Sequence, residues 1–396
     1  MKSKIDVVIV GRPDHSMLIY SELLKQSQLS FRFIVFKVLP SWCKRFTRHL
    51  RVQFVDKNSI IGIRLTIISI LRSSFKFKWA TNFSEKGKLE RKFRFLTKKH
   101  HINLIHYWGN YANDAIEKYK EENSDAIILK DIHMPCYQTV LDVMRPICLK
   151  YNLQDLLDRF ENAFIEEQKE LRNVTCAVAP SQYVVDSFKE FFPNIKFHVV
   201  PYGIMRSSNY KKRHLTDQTH RFKFVYAGSI TLQKGCDLLI DYFSKHREYE
   251  LHLYGQLSET QSNILLEKKT DNIYLHGVVG KNIIQQEFSK YDVGIHLSRF
   301  DAYSLSVGEE IGSGLPVIVS CTTGIECDVR RYNWGLVTDF ESKDLDDIVK
   351  TMTDVDVYNR FADSIDEYFN SSQPGFGKEM VTLYTQLIDF KHSNSH

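Results

Sequence analysis

The stretch Asp301-Ala302-Tyr303-Ser304-Leu305-Ser306-Val307-Gly308-Glu309-Glu310-Ile311-Gly312-Ser313-Gly314-Leu315-Pro316 stands between two short apolar runs, residues 292–298 (DVGIHLS) and 316–320 (PVIVS). Both runs are β-branched and apolar, the pattern of strands buried on two faces of a parallel sheet. The segment between them reads as a loop and then a short helix starting near Ser304, with Ser304 or Ser306 as N-cap and Gly312 and Gly314 as its end. A helix that begins at the carboxyl edge of a parallel sheet turns N–H groups and partial positive charge outward, which suits a diphosphate. Asp301 precedes the helix, and Glu309 follows Ser304 by about a turn and a half at ~3.6 residues per turn. Two carboxylates can therefore face one cleft at different depths, one for sugar hydroxyls and one for ribose hydroxyls. The plain alternative is a strand–helix–strand unit with a buried Gly-Pro turn.

The same alternation runs through the chain. Residues 222–228 read as a strand, followed by Ser229-Ile230-Thr231-Leu232-Gln233-Lys234-Gly235 and a helix from Cys236. A Lys at a helix start places its ammonium beside a diphosphate. Strands ending in Gly recur at 250–255 and 273–280, a helix at 283–290, and a last strand at 335–337. Helices at about 342–353 and 380–390 finish the chain. In the first half, strands are expected at 5–11, 31–36, 102–109, 126–133, 174–181 and 197–204, an acidic surface helix at 156–171, and a further helix at 182–191. His133 ends a strand, where α/β sheets place ligands; a His that only caps the strand is the alternative. Residues 205–221 are polar and aperiodic, the pattern of a linker. With 396 residues, two α/β domains are expected.

An acid, seven residues, Glu, then small residues and Gly-Leu-Pro-Val-Ile resembles the signature of the group-1 (family 4-like) retaining, nucleotide-sugar-dependent glycosyltransferases of the GT-B fold. The first acid of that signature is usually Glu; here it is Asp301, one methylene shorter, and the usual Gly-Phe-Gly is Ala302-Tyr303-Ser304. Lys234-Gly235 resembles the family's donor-phosphate loop, but the Arg that many members carry after the strand Gly is Ser229, which leaves Lys234 more to do, with Arg299 as a weak helper. The crossover Pro-Asn-Gly is Pro201-Tyr202-Gly203, and Ser181 falls at the cleft. The resemblance implies two facing Rossmann-like domains, 1–204 for the acceptor and 205–375 for the donor, with 376–396 as a helix returning to the first. It implies donor contacts at Gly11, Ser229, Lys234, Gly255, Val278, Val279, Asp301, Tyr303, Ser304, Leu305, Ser306 and Glu309, with the base near Val278 and Val279. His133, Asp301 and Lys234 would serve catalysis. The implied reaction is transfer with retention to a hydroxyl of a glycan or lipid-linked acceptor, in surface polysaccharide (lipopolysaccharide or capsule) biosynthesis, without metal or cofactor. A nucleotide-sugar epimerase of the same fold and an inert, partner-binding paralogue are the alternatives.

Composition sets further expectations. Seven cysteines without a Cys-x-x-Cys pair point to neither a disulfide framework nor a zinc site. The opening Met1-Lys2-Ser3-Lys4 runs straight into a strand, no apolar run is long enough to span a bilayer, and a reducing cytoplasm is the expected compartment. The net charge of +5 is uneven: residues 41–101 hold sixteen Lys and Arg against three Asp and Glu, so the remainder carries −8. Aromatics interleave with these cations, as in Phe75-Lys76-Phe77-Lys78-Trp79 and Arg91-Lys92-Phe93-Arg94-Phe95. A basic solvated helix face and a surface for anionic membrane are the readings, the second placing the protein peripherally on the inner face of a membrane. No nucleic-acid motif accompanies the charge. Asp354-Val355-Asp356 has the spacing of a metal–diphosphate pair but reads as a helix start.

Overall fold

In the computed structural model, residues 3–11, 18–19, 22–23, 25, 29–35, 38–40, 53–55, 85–109, 113–172, 174–340, 342–371 and 375–393 are described. The aromatic-basic run at 75–79, and most of the basic segment with it, lies outside them, as does the loop after Gly11.

Fourteen strands are present among the described residues. They are β1 (Ser3–Gly11), β2 (Phe31–Val35), β3 (Val38–Pro40), β4 (Gln53–Val55), β5 (His100–Tyr107), β6 (Ile127–Asp131), β7 (Cys176–Ala179), β8 (Lys196–Val199), β9 (Lys223–Ala227), β10 (Glu250–Tyr254), β11 (Ile273–Gly277), β12 (Val293–His296), β13 (Val317–Ser320) and β14 (Gly335–Thr338). They form two six-stranded sheets, ordered β2-β1-β5-β6-β7-β8 and β11-β10-β9-β12-β13-β14, and one two-stranded sheet, β3-β4. The pairings within both six-stranded sheets are parallel. Such strands need apolar side chains on both faces. Phe224 and Tyr226 of β9 join one core cluster, while Val225 and Ala227 join another on the opposite face. Each sheet reverses its order once, between β1 and β5 and between β9 and β12. In open α/β sheets the crevice beyond the strand ends at such a reversal is where ligands bind.

Helices connect the halves. The helix Phe376–Ser393 packs Met380, Val381, Leu383 and Tyr384 against Val7 and Ile9 of β1 and Leu104 of β5, so the chain returns to its first sheet. Its Tyr384 hydroxyl lies 2.6 Å from Nδ1 of the fully buried His106. The helices Tyr137–Lys150 and Gln154–Leu171 place Val140, Leu141, Met144, Leu156 and Leu157 in one core with Leu239, Phe243, Val293 and Tyr358 of the second half. The helix expected at 156–171 is therefore not simply a surface helix. Its outer face is solvated, and its first turn is interior.

Several helices were not expected from the pattern, Tyr137–Lys150 among them, and Val355–Asn370 was read only by its start. Tyr137–Lys150 carries Pro146 inside it, which masks the helical signal. Val355–Asn370 begins at Asp354, whose side chain accepts from the N–H groups of Asp356 and Val357. That is the helix start read for Asp354-Val355-Asp356. Among the described residues no group of three His, Cys, Asp or Glu is placed to hold a metal ion, and no helix is long and apolar enough to cross a membrane.

Candidate active site

The decisive stretch lies at the reversal of the second sheet. After β12 the chain turns at Asp301 into the helix Leu305–Gly312, and after β9 it forms the 228–235 loop. The two loops meet. Lys234 Nζ lies 2.6 Å from Asp301 Oδ2, with the Lys234 side chain 32% exposed and that of Asp301 14%. Asp301 Oδ1 accepts from the N–H groups of Ser304 (2.9 Å) and Tyr303 (3.3 Å). One carboxylate therefore holds the cation and organises the turn that starts the helix. The Leu305 and Ser306 N–H groups begin that helix and have no intrahelical acceptor.

The expectation that Ser304 or Ser306 caps this helix through its side chain is corrected. Ser304 occupies the N-cap position with φ 61° and makes no side-chain capping bond. The Asp301 carboxylate has already taken the Ser304 N–H, which bends the backbone into the left-handed region that short polar residues tolerate. Arg299 is corrected as well. It forms a bidentate pair with Asp237 at 2.6 and 2.7 Å, and also donates to the Leu232 carbonyl. It thereby ties the strand end to the 228–235 loop and is not directed at Asp301.

That loop is held by backbone proximity. Gly235 has φ +66°, and a Cβ there would lie 1.8 Å from the Leu297 carbonyl oxygen. Gly255, at φ +142°, would bring a Cβ to 1.7 Å from the Gly228 carbonyl. The expected donor contacts at Ser229 and Gly255 thus lie on adjacent turns along one sheet edge, and the Gly255 N–H donates to the Gly277 carbonyl just before Val278. Ser229 is exposed, and Val278 is 71% exposed. Gly11 ends β1 opposite Val35.

Glu309 stands further along the motif helix with Oε1 2.5 Å from Lys281 Nζ. Its neighbour Glu310 points the other way. It is fully buried, and both its oxygens lie 2.9 Å from His296 Nε2. Tyr303 is buried too. Its hydroxyl donates to Asp328 Oδ2 at 2.9 Å and its ring joins Val307, Ile311 and Trp334. Only its backbone faces the turn. The glycines that end the helix have a second reason to be there: a Cβ at Gly312 or Gly314 would lie 2.4 Å from the carbonyl of Met205 or Lys211. The 205–221 segment lies directly on the motif.

The halves touch at the site. Ser181, which caps the helix Gln182–Lys189, donates its hydroxyl to the Ala302 carbonyl at 2.7 Å. The Tyr202 ring lies 5.5 Å from that of Tyr303. His133 is exposed beyond β6, on the rim of a cavity whose lining among the described residues comes from the first half. The structure thus brings Lys234, Asp301, Ser304, Leu305 and Ser306 together, leaves Glu309 on the next turn, and sets His133 apart in the other half. The roles of Arg299, Asp237 and Lys281 carry no sequence signal, because each is defined by a partner distant in the chain.

Residues 221–355 match the family profile described as glycosyl transferases group 1. The sucrose-phosphate synthase of Thermosynechococcus elongatus superposes with a TM-score of 0.62 over 98% of this chain and 100% of its own, at 14% identity. The fold is GT-B, and residues 221–355 carry the group-1 glycosyltransferase pattern. The lipopolysaccharide outer core galactosyltransferase WaaB gives a TM-score of 0.60, over 99% of this chain and 100% of its own, at 11% identity. By sequence, the mannosylfructose-phosphate synthase of Agrobacterium fabrum is 24% identical over 291 residues. That alignment covers 65% of this chain and 62% of the relative. This GT-B chain therefore shares the group-1 pattern where Lys234, Asp301 and Glu309 lie.

Proposed function

We propose that this chain transfers a sugar, with retention, from a nucleotide-sugar donor to a hydroxyl of a glycan or lipid-linked acceptor in surface polysaccharide biosynthesis. The observation that carries the reading is the Lys234–Asp301 contact at the start of the motif helix. It brings a cation from the 228–235 loop to the carboxylate that precedes a set of helical N–H groups. The diphosphate is the natural guest of the cation and the N–H groups, and sugar hydroxyls of the carboxylate. Glu309, one turn on and partly exposed, takes the ribose in exchange for Lys281.

In the proposed step the acceptor oxygen bonds to the anomeric carbon as the bond from that carbon to the diphosphate oxygen breaks. Attack comes from the face of departure, and the leaving oxygen takes the hydroxyl proton. The protein's part is electrostatic: Lys234 and the N–H groups of Leu305 and Ser306 bear the charge that develops on the leaving diphosphate. His133 contacts the sugar from the opposite half when the cleft closes. Closure excludes water, which would otherwise hydrolyse the donor.

An inert binding paralogue is the competing reading, favoured by the uncharged Ser229 and by the commitment of Arg299 to Asp237. A thermal-shift screen of nucleotide sugars, with UDP and GDP, separates the two. At a hundredfold excess over Kd, ligand stabilises by ~2.7 kcal/mol. The expected result is a shift with nucleotides of one base in the wild type, reduced or lost in Glu309→Ala. No shift with any nucleotide would favour the inert reading.

We also propose peripheral contact with anionic membrane. The helix Glu85–Lys99 buries Phe93 and Leu96 and exposes Arg91, Lys92, Arg94, Lys98 and Lys99, with Phe95 57% exposed among them. Exposed cations near an anionic surface contribute about 1 kcal/mol each. Vesicles containing phosphatidylglycerol should sediment the wild type at low salt, and Lys92→Glu/Lys98→Glu much less. Failure of the wild type to sediment would end this proposal.

A further inference from the structure

The polar groups of the turn that starts the motif helix are taken up one after another. The Asp301 N–H donates to the Thr322 carbonyl at 3.0 Å, and the Asp301 carbonyl accepts from the Gly324 N–H at 2.8 Å. The N–H groups of Tyr303 and Ser304 go to the Asp301 carboxylate. The Ala302 carbonyl between them finds its donor in the other half of the chain, the Ser181 hydroxyl at 2.7 Å. Ser181 and Ala302 are both buried, so loss of that donor would leave a buried carbonyl unpaired.

The contact is built from both sides. The Ala302 methyl belongs to a core cluster whose other members come from the first half, Ile132, Cys136, Ala177, Ala179 and Val184 among them. The usual glycine of the group-1 signature has no such methyl. Gly324 leaves room for the bond: a Cβ there would lie 1.9 Å from the Ala302 carbonyl oxygen and 2.4 Å from Ser181 Oγ. One peptide unit is thus held at both ends. Its carbonyl is bound by Ser181 and its N–H by Asp301 Oδ1, while Asp301 Oδ2 meets Lys234. A rotation of that peptide takes its N–H off the carboxylate and re-aims the Leu305 and Ser306 N–H groups that follow.

We infer that Ser181 is a positioning residue for glycosyl transfer: through the Ala302 carbonyl it sets the aim of Asp301 and of the helix N–H groups. The donor turn therefore takes its working shape with the first half seated on it. The inference rests on the glycosyltransferase reading and makes second-half chemistry depend on a first-half hydroxyl. Ser181 acts through the turn and touches no reacting atom. A misplacement of about 1 Å in such a site costs about 10²-fold in rate.

Ser181 Oγ also accepts from the Val184 N–H at 3.3 Å as a helix cap, so the test separates capping from positioning. The variants are Ser181→Ala and, as control, Asp354→Ala, which removes a cap from the helix Val355–Asn370. Both should lower the melting temperature slightly, as cap losses do. The full chain is assayed for release of UDP or GDP from UDP-glucose, UDP-galactose, UDP-N-acetylglucosamine and GDP-mannose, and for UDP and GDP binding by calorimetry. Ser181→Ala should lower kcat by about 10–10²-fold, with KM and nucleotide affinity within about threefold of wild type. Asp354→Ala should leave kcat unchanged. Hydrogen exchange followed by mass spectrometry should show the peptide around residues 301–306 opening about tenfold more often in Ser181→Ala and unchanged in Asp354→Ala. Exchange at the turn that Ser181→Ala leaves unchanged overturns the inference, whatever the activity. So does a kcat within about threefold of wild type, an effect confined to KM, or an equal fall in Asp354→Ala. In each of those cases nucleotide binding and release by the wild type leave the transferase reading intact. A wild type that neither binds nor releases a nucleotide overturns that reading, and the inference falls with it.

Discussion

Lys234→Met lowers kcat/KM for glycosyl transfer by about 10²–10³, the usual effect of removing one group that meets charge developing in the transition state. Methionine keeps the length of the side chain and removes its charge. Neighbouring cations do not make up the loss. Position 229 is a serine, and Arg299 is locked to both oxygens of Asp237. The fold should hold, because a Lys–Asp pair with a partly exposed lysine contributes only about 0–1 kcal/mol. The assay is initial rate with the nucleotide sugar that gives a thermal shift, alongside the melting temperature of both proteins. A fall mainly in kcat identifies leaving-group stabilisation, and a rise confined to KM identifies ground-state binding of the diphosphate. A variant that retains activity within about threefold would remove Lys234 from the chemistry, since removing such a group normally costs far more.

His296→Leu destabilises the second half by about 3 kcal/mol, the largest stability effect expected from a single change here. His296 is 2% exposed and Glu310 fully buried, and the imidazole Nε2 lies 2.9 Å from both carboxylate oxygens. The space around them is already filled. The Tyr226 ring packs 4.8 Å from His296, and a Cβ at Gly294 would lie 2.2 Å from Glu310 Oε2. Leucine at 296 would leave the carboxylate buried without its partner. Burial raises the pKa of Glu310, and the His296 interaction opposes that rise; the variant loses that opposition. The double variant His296→Leu/Glu310→Leu should recover most of the loss, because what costs is the unpaired group and not the absence of the pair. Urea unfolding followed by tryptophan fluorescence checks this through Trp334, which is buried in the second half. A single variant within about 1 kcal/mol of wild type would show that the pair does not hold β12 to the motif helix, since breaking a buried pair normally costs several times that.

The local order of strands, loops and helices was legible in the sequence because it depends on neighbours. The apolar runs at 292–298 and 316–320 became β12 and β13, and the helix between them begins after Ser304 as the spacing implied. The strand read at 222–228 and the helix from Cys236 flank the loop that carries Lys234. Eight positions separate Asp301 from Glu309, and that spacing alone put both on one loop-and-helix unit.

What the sequence did not carry is which of two adjacent residues turns inward, and which distant partner each polar group finds. Glu309 and Glu310 look equivalent in a row of letters, yet the step of about 100° between neighbours on a helix sends Glu309 toward Lys281 and Glu310 into the core with His296. Ser304 has the composition of a side-chain cap, but the Asp301 carboxylate reached the backbone first. Arg299 looked free beside Asp301 until the fold brought Asp237 to it. Pro146 concealed a helix that its packing against the second half sustains. The cavity beside His133 is assembled from β6, Gly109 and a helix more than thirty residues on. Periodicity along a chain reports burial and local geometry, whereas hydrogen-bond partners and cavities arise where separate segments return to the same place, and only the tertiary structure decides that.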